Sequence, residues 1–359
     1  MKYPSVLPFG ELLPKLEQFD AIIDVRSPLE FAEDHLPGAI NCPVLDDAQR
    51  VQVGTIYKNV SAFEAKKLGA MLVAKNIAHH IENQFLGCPQ DWKPLIYCWR
   101  GGNRSGAMAL IFARIGWPVT QLEGGYKAYR QHVNTELVAL PQAFNFNVLC
   151  GPTGSGKSRL LQVLASQGAQ VLDLEKLAAH RGSVLGDLPT APQPSQKHFE
   201  SLLWELLSKF DPARPVFVEA ESKKVGKLRV PDSLMAKMRS SPCTTVELSI
   251  SDRVALLMQD YLHFVADPVL LNTQLDFLTH LHGKEKIAHW HQLALSSKTS
   301  ELVDELLRKH YDPGYLQSIS RNFVRLGEAT SISLQNISDD AFQCAARQLN
   351  ELANNPLSA

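Results

Sequence analysis

A glycine-rich stretch near the middle of the chain limits the possible folds more than any other feature. Residues 151–158 read Gly-Pro-Thr-Gly-Ser-Gly-Lys-Ser and follow the apolar run 144–150. The spacing G-x-x-x-x-G-K-S between a strand and a helix is that of a phosphate-binding loop, in which backbone N–H groups and a helix N-terminus hold phosphate oxygens. The predicted diphosphate-binding residues are Gly151, Gly154, Ser155, Gly156, Lys157 and Ser158. Such a strand–loop–helix unit is typical of an α/β fold with a parallel sheet.

Several acidic residues are candidate partners of this loop. Glu219 follows the apolar residues 216–218, and Asp173 is predicted to end the preceding strand, so either carboxylate can be the second element of a magnesium site. Glu221 is a further candidate, and Ser158 can bind Mg²⁺ if the guest is a magnesium nucleotide. No cofactor is firmly predicted, because a phosphate loop can hold any diphosphate and no nucleobase-reading motif is evident. The mixed charges of residues 219–224 are also typical of a solvated surface loop.

A second loop, about fifty residues earlier, carries a cysteine. Cys98 ends the apolar run 94–97, and a helix is predicted to begin at Ser105. The residues between them, Gly101, Gly102 and Asn103 included, can turn their amides inward to hold an anion. Arg100 and Arg104 add positive charge, and such surroundings favour the thiolate, which is the nucleophilic form of cysteine. A buried structural cysteine is the alternative for Cys98 taken alone.

Length and patterning indicate two α/β domains. The chain has 359 residues, which is long for a single core. We expect a first domain over residues 1–138 and a second over residues 144–359, whose last hundred residues are mostly helical. Strands are predicted at 21–25, 94–97, 119–122, 144–150, 170–174, 216–220, 244–250 and 332–334.

Composition narrows the classes of function. The net charge is −1, so any surface for nucleic acid must be local. The six cysteines are scattered without a C-x-x-C pair, which favours free thiols in a reducing compartment. The N-terminus lacks the apolar core of a signal peptide, and no apolar run approaches membrane-spanning length. We therefore expect a cytoplasmic protein without membrane contact, and we make no prediction of its oligomeric state.

The first domain resembles the rhodanese family. The stretches Asp24-Val25-Arg26-Ser27-Pro28 and His35-Leu36-Pro37-Gly38-Ala39 are similar to that family's two N-terminal signatures, and the cysteine loop follows in the expected order. In rhodaneses this cysteine carries sulfur as a persulfide, and Asp24, Arg26 and His35 are expected to be structural. Single-domain rhodaneses usually space the loop as C-x-x-x-x-R, whereas five residues separate Cys98 from Arg104 here. The wider loop resembles that of dual-specificity phosphatases and suits a larger anion, such as selenophosphate.

The whole chain resembles the tRNA 2-selenouridine synthase family. The supporting stretches are His180-Arg181-Gly182-Ser183, Gln193-Pro194-Ser195-Gln196 and Glu219-Ala220-Glu221-Ser222. The resemblance implies that selenium from selenophosphate replaces the 2-thio sulfur of a wobble uridine, after geranyl diphosphate has turned that sulfur into a leaving group. It also implies that Cys98 holds selenium as a selenylsulfide and that the phosphate loop binds the prenyl donor. The implied partners are tRNA carrying 2-thiouridine and an enzyme that supplies selenophosphate.

Several assignments in the second domain stay open. His180, Arg181 and Ser183 are candidates for contacts with phosphate or tRNA, although the first two can equally be structural. A basic segment can follow a tRNA backbone or consist of ordinary exposed lysines, and it comprises Lys223, Lys224, Lys227 and Arg229. Two other functions remain as alternatives: a C-x-x-x-x-x-R phosphatase-like or arsenate-reducing module fused to a nucleotide-dependent kinase, and a non-catalytic rhodanese sensor attached to an NTPase.

Overall fold

The computed structural model describes residues 3–182 and 192–354, and the chain divides into two compact units. The first unit comprises the chain through Glu136 together with the later segment Pro194–Glu205. The second unit comprises Leu137–Gln193 and the chain from Leu206 onward. The segment Pro194–Glu205 thus groups with the first unit, although the sequence analysis assigned it to the range of the second domain.

The first unit is built on a five-stranded parallel sheet with the order β1-β5-β4-β2-β3. Its strands are β1 (Ser5–Leu7), β2 (Ala21–Asp24), β3 (Ala39–Asn41), β4 (Pro94–Tyr97) and β5 (Thr120–Leu122). Every residue of β4 is buried, as expected of a central strand covered on both faces. This position brings Cys98, the next residue, to the carboxyl edge of the sheet.

Helices cover this first sheet and form its core. They are α1 (Phe9–Leu12), α2 (Pro28–Glu33), α3 (Asp47–Asn59), α4 (Ala62–His80), α5 (Asn103–Ile115) and α6 (Gly125–Ala139). The aromatic rings of Trp92, Phe112 and Trp117 pack together in the core cluster, with ring centroids 5.0–6.0 Å apart. This packing of Phe112 against the core fixes the position of α5, and the N-terminus of the helix is thereby held at the cysteine loop.

The second unit contains another five-stranded parallel sheet, with the order β12-β11-β6-β8-β7. Its strands are β6 (Phe146–Cys150), β7 (Gln170–Leu172), β8 (Val216–Glu219), β11 (Cys243–Glu247) and β12 (Thr330–Ser333), and β9 (Lys224–Val225) pairs antiparallel with β10 (Leu228–Arg229). The glycine-rich loop follows β6, the central strand. The chain leaves β6 toward one side of the sheet and later returns on the other, a topological arrangement that commonly creates a ligand crevice.

The helices of the second unit include the largely helical C-terminal part. They are α7 (Lys157–Ser166), α8 (Leu174–Leu177), α10 (Asp232–Ser240), α11 (Ile250–Asp260), α12 (Leu262–Ala266), α13 (Pro268–Leu275), α14 (Thr279–His282), α15 (Lys284–Leu295), α16 (Thr299–Leu306), α17 (Asp312–Asn322) and α18 (Asp339–Asn354), while α9 (Gln196–Ser208) begins in the segment of the first unit. The predicted α/β class is confirmed. The late strand predicted at 332–334 exists as β12, shifted by two residues at its start.

None of the helices within residues 3–182 and 192–354 is both long and apolar enough to cross a membrane.

Candidate functional site

The cysteine loop lies between β4 and α5. Cys98 directly follows β4 and is buried, with 4% of its surface exposed. The α5 helix begins at Asn103, two residues before the predicted start, so Asn103, Arg104 and Ser105 form its first turn. The expected anion loop is thus shorter than predicted, and the amides of that first turn lie near the sulfur.

The surroundings of Cys98 favour its thiolate. Burial alone raises the pKa of a thiol, but the Ser105 hydroxyl, the amides of Ser105 and Arg100, and the Arg104 charge outweigh it and lower the pKa of Cys98. The Ser105 hydroxyl donates to the Cys98 Sγ at 3.2 Å. Gln121 in turn donates to the Ser105 Oγ at 2.9 Å, which fixes the direction of that hydroxyl. These contacts therefore favour the thiolate, which is the nucleophilic form of cysteine.

Two supports of this loop were missed by the sequence analysis. The side-chain amide of Gln121 also donates to the carbonyl of Gly101 at 2.7 Å. The turn before α6 closes on the loop, because the amide of Tyr126 donates to the carbonyl of Cys98 at 2.8 Å. A Cβ on Gly125, whose φ is +57°, would stand 2.2 Å from that same carbonyl oxygen, so only glycine fits there. A glycine pair following a strand is a weak signal that could have indicated this closure.

The Arg104 side chain forms an ion pair away from Cys98, although its charge also acts on the sulfur. Its guanidinium forms an ion pair with Glu30 at 2.8 Å, and Glu30 also binds Arg50 at 3.2 Å. Burial opposes ionisation of Glu30, but the hydrogen bond and charge of Arg104 outweigh it and lower the pKa of Glu30. Arg100 is exposed at the loop, so it is the arginine that is free to approach an incoming anion.

The three residues that were expected to be structural, Asp24, Arg26 and His35, contact other residues of the first unit. Arg26 and Asp24 form a fully buried ion pair at 2.6 Å, and the Arg26 guanidinium lies 3.9 Å from the ring centroid of Tyr126. His35 stacks on Phe31 with ring centroids 3.9 Å apart, and one of its ring nitrogens lies 2.9 Å from the Phe31 carbonyl oxygen. These contacts agree with the structural role predicted for Asp24, Arg26 and His35.

The phosphate loop between β6 and α7 has the predicted conformation. Gly154 and Gly156 have positive φ angles of +77° and +87°, and α7 begins at Lys157. The Lys157 Nζ donates to the Gly151 carbonyl at 2.7 Å and pairs with Glu219 at 3.3 Å. The Ser155 hydroxyl is fully buried and has no hydrogen-bond partner among the described residues. The loop thus retains an unused donor in its interior.

A group of carboxylates surrounds Ser158. The Ser158 hydroxyl donates to Glu219 at 3.1 Å and to Glu175 at 3.5 Å. Glu175, Glu219 and Glu221 each bring one oxygen within 4.8 Å of the others. Burial and the neighbouring carboxylates raise the pKa of Glu175 to about 9 and that of Glu221 to about 8. Hard oxygen donors of this kind are the ligands that Mg²⁺ prefers, so the residues fit such an ion.

The acidic partners differ in part from the predicted ones. Glu175 was missed, because it is the second residue of a four-residue helix and has no motif around it. Asp173 does not end a strand: β7 stops at Leu172, and the Asp173 carboxylate caps α8 by accepting from the amide of Lys176 at 2.8 Å. Burial nevertheless raises the pKa of Asp173. Glu219 and Glu221 lie where the sequence placed them, beside the loop.

The phosphate loop opens into a cleft of about 880 Å³. Tyr315 and Arg253, both missed by the sequence analysis, hold the loop from the C-terminal helical part. The Tyr315 hydroxyl accepts from the Gly151 amide at 2.6 Å, and the Arg253 guanidinium donates to the Thr153 carbonyl at 2.7 Å. Arg253 is itself anchored by Asp312 at 2.6 Å. The cleft is therefore formed by the α/β core and the C-terminal helices of one unit.

The remaining predicted residues of the second domain have different surroundings. His180 is buried and lines the cleft, and Arg181 lines it with its guanidinium 4.7 Å from the Tyr261 ring centroid and 4.0 Å from Asp260. Ser183 lies outside the described residues. In the basic segment, Lys223 pairs with Asp232 at 2.7 Å, while Lys224 and Lys227 are exposed on the β9–β10 hairpin.

Comparison with known proteins gives matches to both parts of the chain. The family described as "Rhodanese-like domain" matches residues 9–132, and the family described as "tRNA 2-selenouridine synthase AAA domain" matches residues 144–280.

Curated relatives match the chain across both parts. The tRNA 2-selenouridine synthase of Nitrosomonas europaea is 35% identical over 306 residues, covering 84% of this chain and 76% of the relative. The protein of the same name from Aeromonas salmonicida is 31% identical over 352 residues, covering 90% of this chain and 94% of the relative. A third, from Shewanella loihica, is 34% identical and covers 72% of this chain and 69% of the relative.

Proposed function

The chain belongs to the tRNA 2-selenouridine synthase family, and from that membership we propose that it replaces the 2-thio sulfur of a wobble 2-thiouridine in tRNA with selenium from selenophosphate. The exchange proceeds through an S-geranylated uridine made from geranyl diphosphate. The enzyme is thus a transferase with two activities, geranyl transfer and selenium transfer. An enzyme that makes selenophosphate is the expected supplier of the donor.

The observation that carries the proposal is the buried Cys98 with its lowered pKa. The thiolate attacks the selenium of selenophosphate, an S–Se bond forms, and the Se–P bond breaks with its electron pair leaving on phosphite. The terminal selenide then attacks C2 of the uridine and expels geranyl thiolate. Two equivalents of a small thiol then reduce the remaining S–Se bond and become a disulfide, which leaves selenium on the uridine and returns the Cys98 thiol. Arg100 and the amides of the loop are suited to hold the phosphoryl oxygens during the first step.

The phosphate loop supports the geranyl step. The sulfur of 2-thiouridine attacks C1 of geranyl diphosphate, and the C–O bond breaks as diphosphate leaves. The loop amides, the Ser155 hydroxyl and Lys157 are suited to stabilise the departing charge. Ser158, Glu175, Glu219 and Glu221 would hold Mg²⁺, which supplies further neutralisation of a diphosphate.

A turnover assay on tRNA tests this function. Purified protein is given tRNA containing 2-thiouridine with geranyl diphosphate, with selenophosphate, or with both, and the nucleosides are identified by mass spectrometry. We expect S-geranyl-2-thiouridine from the first mixture, no change from the second and 2-selenouridine from the third. Formation of 2-selenouridine without geranyl diphosphate would remove the geranyl step. Hydrolysis of aryl phosphates without any selenium uptake would instead establish the phosphatase-like alternative.

A further inference from the structure

A second, smaller cavity of about 60 Å³ lies among the C-terminal helices of the second unit, and we call it the apolar slot. Leu257 of α11, Phe264 of α12, Leu271 of α13 and Leu302 and Leu306 of α16 contribute to its walls. All but Leu257 belong to the buried core cluster of these helices, so the slot is an apolar pocket that is partly open to solvent.

The slot adjoins the cleft of the phosphate loop. Thr153, Leu257, Tyr261 and Tyr311 line both spaces. Thr153 is itself part of the phosphate loop, and a Cβ on Gly154 would stand 2.9 Å from Leu257 Cδ1. The end of the slot formed by these four shared residues, which we call its mouth, therefore lies beside the phosphate loop.

The lining of the slot selects the chemical class of the guest. Among the described residues, no charged side chain lines it, and its polar groups are limited to threonine and tyrosine hydroxyls. A nucleobase placed there would lose its hydrogen bonds to water without replacement, which costs affinity, whereas a hydrocarbon chain has none to lose. A diphosphate attached to a hydrocarbon chain therefore matches this site, with its phosphates at the phosphate loop and its chain in the apolar slot.

We propose that the apolar slot receives the far end of the prenyl chain of the diphosphate donor and that its small volume limits the length of that chain. This inference rests on the proposed geranyl transfer and adds the residues that select the donor. A cavity of about 60 Å³ is smaller than the roughly 150 Å³ cavity that accepts benzene, so it holds only the terminal part of a ten-carbon chain. The rest of the chain lies in the mouth, between Leu257 and the two tyrosines. A fifteen-carbon chain has no space for its additional isoprene unit.

The test compares prenyl donors of three lengths with wild-type protein and two slot variants. Dimethylallyl, geranyl and farnesyl diphosphate are offered with 2-thiouridine tRNA, and kcat/KM of prenyl transfer is measured for each. We expect wild-type protein to prefer geranyl over farnesyl by at least about tenfold. Val303→Phe fills the slot and should raise the KM for geranyl diphosphate about tenfold, while dimethylallyl diphosphate is used as before. Met258→Ala enlarges the slot and should reduce the discrimination against farnesyl about tenfold.

Controls separate the slot from the phosphate loop and from the proposed function. Val269→Phe makes the same change at an exposed position of α13 that does not line the slot, and it should behave as wild type. Inhibition by inorganic diphosphate, which has no chain, should be equal in all variants. Unchanged donor preferences in both slot variants, with geranyl transfer intact in wild type, would overturn the slot alone. Absence of any prenyl transfer by wild-type protein, with ATP bound instead, would overturn the proposed function and the slot together.

Discussion

The cysteine loop and the phosphate loop have the same architecture and opposite electrostatics. Each follows the central strand of a five-stranded parallel sheet and leads into a helix. At the cysteine loop, the donors point at one sulfur and the Arg104 charge is paired outside the loop by Glu30. At the phosphate loop, Lys157 binds the loop's own carbonyl and Glu219, and further carboxyls crowd Ser158.

This difference indicates how each loop is prepared for its substrate. The surroundings of Cys98 already favour the thiolate, so this loop needs no bound anion to produce that form. Glu175, Glu219 and Glu221 crowd one side of the phosphate loop, and their charges repel a diphosphate unless a cation or protons balance them. We therefore expect the first loop to act through covalent chemistry and the second through charge neutralisation.

Removing the thiol should give the largest effect and separate the two loops. Cys98→Ala is expected to reduce 2-selenouridine formation by at least about 10³-fold, because the selenium carrier is lost, while geranyl transfer stays within about twofold of wild type. Nucleoside mass spectrometry measures both products. Cys88→Ala, at another cysteine of the same unit, is the matched control and should leave both activities unchanged. Equal loss of both activities in folded Cys98→Ala protein would show that the loops do not act separately.

Removing the lysine of the other loop should produce the converse pattern. Lys157→Met is expected to lower geranyl transfer about 10²–10³-fold, since a charge that stabilises the leaving diphosphate is lost. Selenium loading of Cys98 from selenophosphate, followed by mass spectrometry of the intact protein, should not change. Lys284→Met removes a lysine at the start of α15, outside the cleft, and should have no effect. Wild-type geranyl transfer in Lys157→Met would exclude the phosphate loop from the reaction.

The same comparison explains how much of the site the sequence could predict. Strands, loops and the residues of both motifs are local patterns, so Cys98, Lys157 and Ser158 were found. Gln121, Glu175 and Tyr315 were not, because each reaches its loop only through the fold. Tyr315 contacts Gly151 across 164 positions of the chain, and no spacing links them. Asp173 was misplaced because an acid after an apolar run marks equally a strand end or a helix cap.

A smaller effect should follow from removing the hydrogen bond to the sulfur. Ser105→Ala takes away a donor that stabilises the thiolate, so the pKa of Cys98 should rise and its reaction with iodoacetamide should move to higher pH. At neutral pH the alkylation rate should fall severalfold, about tenfold at most. Ser105→Thr keeps the hydroxyl and should stay close to wild type. An unchanged pH profile in Ser105→Ala would mean that the loop amides alone lower the pKa.

The smallest effect is expected from changing a carboxyl near Ser158. It should appear in the stability of the protein rather than in its turnover rate. Burial and like charges raise the pKa of Glu175 to about 9, so the folded protein binds a proton there at pH values where an unfolded glutamate, with a pKa of about 4.3, is ionised. Between these values the folded state holds more protons than the unfolded state, and the free energy of unfolding therefore decreases as pH rises. Glu175→Gln removes this contribution. When the pH is raised from 5 to 9, the melting temperature of the variant should therefore fall by a few degrees less than that of the wild-type protein. The exposed Glu351 provides the matched control, and Glu351→Gln should keep the wild-type slope. Mg²⁺ should make the melting temperature of the wild-type protein less dependent on pH, because it binds the ionised carboxylates. The same pH dependence in wild type and Glu175→Gln would mean that the carboxyls are already balanced without a cation.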